Sequence, residues 1–129
     1  MIVDSSALIC VFFDEPDSAA FAYAMEHASE LRMGAPTYVE SCIVVTSRHG
    51  LAALPKLELL VRISNIEIVS FTSTAAFVAS DAFVRFGKGR HPAGLNFGDC
   101  MSYALAKTEL MPLLFKGDDF RLTDVEAAI

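Results

Sequence analysis

Four times along this chain a short apolar run gives way to an acid, and that recurrence constrains the fold more than any other feature. Ile2-Val3 runs straight into Asp4-Ser5-Ser6. Glu40, Asp99 and the adjacent pair Asp118 and Asp119 each follow a later apolar run. Helix-length patterns separate the runs, and strands so separated pair in parallel, because a parallel neighbour is reached only by a long crossover. Every strand of a parallel sheet ends on the same edge, so these acids converge. Four carboxylates in one crevice repel each other unless a divalent cation holds them. Carboxylate-only ligation suits Mg²⁺ or Mn²⁺, hard ions that prefer oxygen.

The pattern along the chain supports that architecture. An apolar run over residues 7–13 has helical length and breaks at Asp14-Glu15-Pro16-Asp17. Asp17 or Ser18 then caps a second helix, with Phe21, Ala24, Met25 and Ala28 on one face. Residues 31–35 read as a strand that closes at Pro36. A helix from Thr37 to near Gly50 carries Val39, Ile43 and Thr46 on one face, and another spans residues 54–63. Residues 67–71 form a strand. A long helix over 74–86 follows, with Ala75, Val78, Ala79, Ala82 and Phe86 at helical spacing. The last helix covers about 98–110, and Leu113-Leu114-Phe115 is a buried-strand signal ahead of the turn Lys116-Gly117-Asp118-Asp119-Phe120.

At 129 residues with 53% hydrophobic side chains, the chain reads as one domain with an ample core. The apolar excess points to a covered partner or dimer surface. The longest uncharged stretch, residues 68–80, is too short for a span, which needs roughly 20 apolar residues, and no signal peptide is expected. Cys10, Cys42 and Cys100 are odd in number and sit on apolar patterns, as reduced thiols of a cytoplasmic protein do. A net charge of −6 argues against broad affinity for nucleic acid. One local exception is the basic stretch Arg85, Lys88, Arg90 and His91, interleaved with Gly87 and Gly89 and suited to phosphate. His27 and His49 follow no ligand spacing.

Each acid also has an ordinary structural reading. Asp4 suits an N-cap, Thr37-Tyr38-Val39-Glu40 matches a capping box, Asp99 suits the first turn of a helix, and Gly117-Asp118-Asp119 is turn chemistry. Their common place at strand-to-helix transitions favours a shared site. Helix N-termini there would add amide groups that attract phosphate.

The motifs resemble those of PIN-domain nucleases, and in particular the VapC-type toxins of bacterial toxin–antitoxin pairs. Asp4-Ser5-Ser6-Ala7-Leu8 is similar to the first motif, Tyr38-Val39-Glu40 to the second, and the stretch from Gly94 to Cys100 around Asn96 and Asp99 to the third. The stretch from Leu113 to Phe120, ahead of Thr123-Asp124, is similar to the fourth. The resemblance spans essentially the whole chain. It implies a three-layer α/β fold with a twisted parallel sheet of about five strands flanked by helices. It also implies a Mg²⁺- or Mn²⁺-dependent endoribonuclease for structured RNA, such as tRNA or rRNA loops, a cognate antitoxin and a homodimer. By position, Asp4 and Asp99 are implied metal ligands, with Glu40 and Asp119 or its neighbour Asp118 acting directly or through water. Ser6 and Asn96 take supporting positions, and Arg85, Lys88, Arg90 and His91 would flank the RNA backbone.

Other readings fit less well. A haloacid-dehalogenase-like phosphohydrolase needs a second acid two residues after Asp4, where Ser6 stands. A receiver-like domain needs a central strand ending in Asp, which is missing. An inactive PIN-like binding module is disfavoured because no motif acid is lost.

Overall fold

The computed structural model describes residues 1–129. Four strands form one parallel sheet in the order β3-β2-β1-β4: β1 (Ile2–Val3), β2 (Leu31–Gly34), β3 (Ile66–Val69) and β4 (Leu113–Leu114). Six helices connect them: α1 (Ser5–Phe12), α2 (Ser18–His27), α3 (Ala35–His49), α4 (Leu54–Ile63), α5 (Ser73–Phe86) and α6 (Phe97–Glu109). A short 3₁₀ turn, Asp119–Leu122, follows β4.

The sheet has four strands where five were expected. A fifth position survives as a single parallel bridge between Leu113 and Ala127, fixed by Leu113 N–H to Glu126 O and Ala128 N–H to Leu113 O. The segment that would extend it is short and mostly exposed, so too little side chain is buried there to hold a strand.

Alternation across the pleat makes three layers. Ile2 and Leu113 face a core built with α5 and α6. Val3 and Leu114, one residue on, face the opposite core, built with α1, α2, α3 and α4. Chain order along the sheet reverses between β1 and β4, which is where open α/β sheets leave a crevice at the strand C-termini. Because β1 and β4 are only two residues each, the chain leaves them abruptly, and Asp4 and the Lys116–Phe120 turn lie directly on that edge.

Helix α3 departs from expectation. It starts at Ala35, with Pro36 in its first turn where a missing amide costs nothing. Thr37 is therefore inside the helix and 1% exposed, so it does not form a capping box with Glu40. The buried face carries Thr37, Ser41 and Val45, while Val39 (55% exposed) and Ile43 (61%) look outward. Small hydroxyl residues are tolerated inside because each has a partner: Ser41 Oγ donates to Thr37 O at 2.9 Å, and Thr37 Oγ1 meets Ser102 Oγ at 3.2 Å. No helix is long and apolar enough to cross a membrane.

Candidate active site

Asp4 leaves β1 and caps α1. Its Oδ2 accepts from the Ser6 amide at 2.9 Å and from Ser6 Oγ at 2.6 Å. Its Oδ1 accepts from Ser102 Oγ on α6, also at 2.6 Å. Ser6 Oγ in turn accepts the Lys116 amide at 3.0 Å, which joins Asp4 to the turn after β4. At 3% exposure, with both oxygens engaged, this carboxyl has one orientation.

Asp99 stands in the first turn of α6. Asn96 caps the helix by accepting the Asp99 amide at 3.0 Å, and Asp99 Oδ2 accepts the Asn96 amide at 2.8 Å, a reciprocal capping box. Burial pushes the Asp99 carboxyl up to about 6, against the pull of the Asn96 bond, and Asp4, Asp119 and Glu40 each raise it further. Glu40, in the second turn of α3, is also raised, first by burial and then by Asp4, while Ser5 opposes the shift. Thus Asp4, Glu40 and Asp99 share one crevice and feel each other's charge, and Asp119 bears on it from the turn after β4. Asp118 is turned away, 94% exposed at its side chain and 3.3 Å from Arg121.

The protein forms nine ion pairs, and none includes Asp4, Glu40, Asp99 or Asp119. An oxygen-only donor set that repels itself and lacks a cation fits a hard divalent ion by its chemistry. Spacing alone does not complete a site: as the side chains stand, no three Asp, Glu, His or Cys groups meet around one point. One Asp99 oxygen is occupied by its own helix cap.

Sequence reasoning missed two residues here. Gly98 lies so close to the Glu40 carboxyl that a Cβ would come within 2.7 Å of both its oxygens. A glycine in a helix's first turn is the available signal, since it costs up to about 1 kcal/mol relative to alanine unless close approach requires it. Ser102 had no such signal, because its partner Asp4 is 98 residues away.

The basic stretch divides. Arg85 belongs to α5 and is engaged within the chain, pairing with Asp124 at 2.9 Å and Asp81 at 3.6 Å. His91 Nδ1 accepts the Ala93 amide, an internal loop contact. Lys88 and Arg90 have no carboxylate partner, and Arg90 lies 5.7 Å from the Phe83 ring. Beside the acids, Pro36, Val39, Ile43, Phe71, Phe97 and Met101 line an open groove of about 560 Å³ that reaches Glu40 and Gly98.

Residues 1–126 match the PIN domain family. The chain is 44% identical to a Ribonuclease VapC of Mycolicibacterium smegmatis over 127 residues, covering 98% of each. It is 45% identical to Ribonuclease VapC36 of Mycobacterium tuberculosis, covering 98% of this chain and 91% of that protein. Among solved structures it is similar to Mycobacterium tuberculosis VapC20, described as a Sarcin-Ricin loop cleaving toxin, with a TM-score of 0.78 at 12% identity over 96% of this chain and 95% of that one. A chain of a toxin–antitoxin complex from Klebsiella pneumoniae aligns with a TM-score of 0.70 at 14% identity, over 95% and 92% respectively.

Proposed function

The chain belongs to the PIN-domain family, among the VapC-type ribonucleases, and from that premise we propose that it is a divalent-metal-dependent endoribonuclease toxin, acting in the cytoplasm on loops of structured RNA and restrained by a cognate antitoxin. The observation that carries the reading is the unneutralised acid crevice: every one of the nine ion pairs lies elsewhere. Structural ion-pair networks also perturb acids, but they do so with a cation present.

Asp4 and Asp99 would hold Mg²⁺ or Mn²⁺ directly, with Glu40 and Asp119 bound directly or through water. When bound, such an ion makes water acidic enough to attack a phosphodiester near neutral pH and offsets charge on the departing oxygen. The chain's own residues do the rest. Ser6 and Ser102 keep Asp4 in one rotamer, so its oxygens need no reorganisation. Gly98 admits the Glu40 carboxyl to the edge of α6. Asp99 keeps one oxygen on the Asn96 amide, which leaves its other oxygen for an ion. Lys88 and Arg90, in the loop leading into α6, would hold backbone phosphates beside the cut. Bases would be read where they are unstacked, as single-stranded loops allow. A second copy of the chain is the proposed cover for the outward apolar residues of α3 and α5, including Val39, Ile43, Phe77 and Val84.

The test is cleavage of a pool of structured RNAs by antitoxin-free protein with Mn²⁺, beside Asp99→Asn. Discrete cuts that vanish with chelator and in the variant are expected. Cuts that persist in Asp99→Asn would refute the site.

A further inference from the structure

One built cluster of charged groups has no part in the reading above. Asp124, five residues beyond Asp119, is held from two helices. Tyr103 Oη donates to its Oδ1 at 2.6 Å and Arg85 Nη2 to its Oδ2 at 2.9 Å. Lys107 Nζ donates to its backbone oxygen at 3.2 Å and stands 3.8 Å from Oδ2. Arg85 is itself fixed, over the Phe86 ring at 4.6 Å and beside Asp81. These contacts hold the Asp124 carboxyl below the usual carboxylate range, the Tyr103 hydroxyl contributing most.

What the cluster holds is the segment that carries Asp119. That segment is mostly exposed; its buried member is Phe120, which is 3% exposed and packs on Phe115 with ring centres 4.9 Å apart. Thr123 Oγ1 closes the turn onto Phe120 O at 2.7 Å, and Asp124 then fixes its far end. The anchor point matters. Tyr103 lies four residues after Asp99 on α6, one turn (roughly 5.4 Å) along the same face. The Asp119 segment is therefore tied to the helix that presents Asp99, next to Asp99 itself.

We propose that Asp124, held by Tyr103 and Arg85, is a positioning residue that sets the spacing between Asp119 and Asp99 and so the grip of the crevice on a divalent cation. The inference rests on the metal-site reading above. Groups outside the ligand set that fix where the ligands stand govern metal affinity, and loss of such support costs about tenfold; Asp124 does this through the segment it anchors, with no contact to Asp119 itself. It gives a role to Arg85 and to Thr123-Asp124 that RNA contact does not.

The test measures Mn²⁺ affinity of the apo protein by electron paramagnetic resonance, with melting temperature and RNA cleavage alongside, for Asp124→Asn, Asp119→Asn, their double variant and Tyr103→Phe. Asp124→Asn is expected to weaken Mn²⁺ binding about tenfold. In the Asp119→Asn background it should add nothing, because residues acting through one another are not additive. Tyr103→Phe should move affinity the same way by less, and it carries the test if Asp124→Asn does not fold. A lowered melting temperature with unchanged Mn²⁺ affinity would overturn the proposal, as would an equal loss in both backgrounds. If Asp119→Asn alone leaves Mn²⁺ affinity intact, the fourth-acid assignment falls and this proposal with it. Loss of Mn²⁺ binding in Asp99→Asn would still uphold the metal site, so the two failures are distinguishable.

Discussion

At the N-terminal end of the strands Glu30, Glu67 and Glu109 gather round Arg32; at the C-terminal end Asp4, Glu40 and Asp119 bear on Asp99 with no ion-pair partner among them. Arg32 meets Glu30 at 2.6 Å, Glu67 at 3.2 Å and Glu109 as well, and Glu67 is its register partner on β3. The same sheet thus carries two acid clusters of similar size, one bridged by a cation of the chain itself and one with none. Acids that serve only to join elements have a guanidinium or ammonium beside them, here and at Glu15, where Arg48 and Lys116 meet. Acids left without a cation in a half-buried crevice destabilise the protein by themselves, a cost that the proposed external cation would offset.

The contrast breaks most visibly by removing one acid at each end. Asp4→Asn or Asp99→Asn should lower RNA cleavage by at least about a hundredfold, the equivalent of roughly 3 kcal/mol of lost transition-state stabilisation. Glu109→Gln should leave the rate unchanged. Equal losses in a cleavage assay would erase the distinction between the two ends.

A smaller effect isolates geometry from charge. Gly98→Ala keeps every acid but displaces the Glu40 carboxyl, the movable end of a flexible side chain. Cleavage should fall about tenfold while stability holds or rises by up to about 1 kcal/mol, since alanine suits a helix better. Thermal melts beside rates separate the two.

Stability against pH sharpens the comparison further. Asp99 is raised from 3.8 to about 6, so its ionisation is disfavoured in the folded state. That contribution is fully present below pH 3.8 and is lost as pH rises through about 6. The metal-free protein should therefore lose on the order of 1 kcal/mol from this group across that window, allowing for solvent screening of a half-buried carboxyl. Asp99→Asn should flatten the profile of melting temperature against pH there, whereas Glu109→Gln should not.

Two surface changes complete the series. Lys88→Ala with Arg90→Ala should raise KM for RNA a few-fold and reduce its salt dependence with kcat unchanged, as loss of phosphate contacts does. Arg32→Ala should lower stability by about 1 kcal/mol or less, with cleavage intact.

Much of this was legible in the sequence for a physical reason. Helix α4 spans residues 54–63 as its pattern predicts, and α5 buries Ala75, Ala79, Ala82 and Phe86 at the expected spacing. Periodicity finds a face, but it does not say what the face meets. In α3 the apolar stripe of Val39 and Ile43 looks outward, while Thr37 and Ser41 go in because Ser102, far along the chain, offers a partner. Asp118 and Asp119 differ only in direction, which turn chemistry leaves open. The same limit applied to Arg85, whose position in a basic stretch hid its partner Asp124.

The central claim is that the unneutralised crevice is built for a divalent cation, and the most direct measurement is a Mn²⁺ titration of the melting temperature at pH 7.5, for wild type and Asp99→Asn. The account predicts a saturable rise in wild type, as any ligand selective for the native state produces, and little or none in the variant. A flat response in wild type at millimolar Mn²⁺, or an equal rise in both proteins, would contradict it.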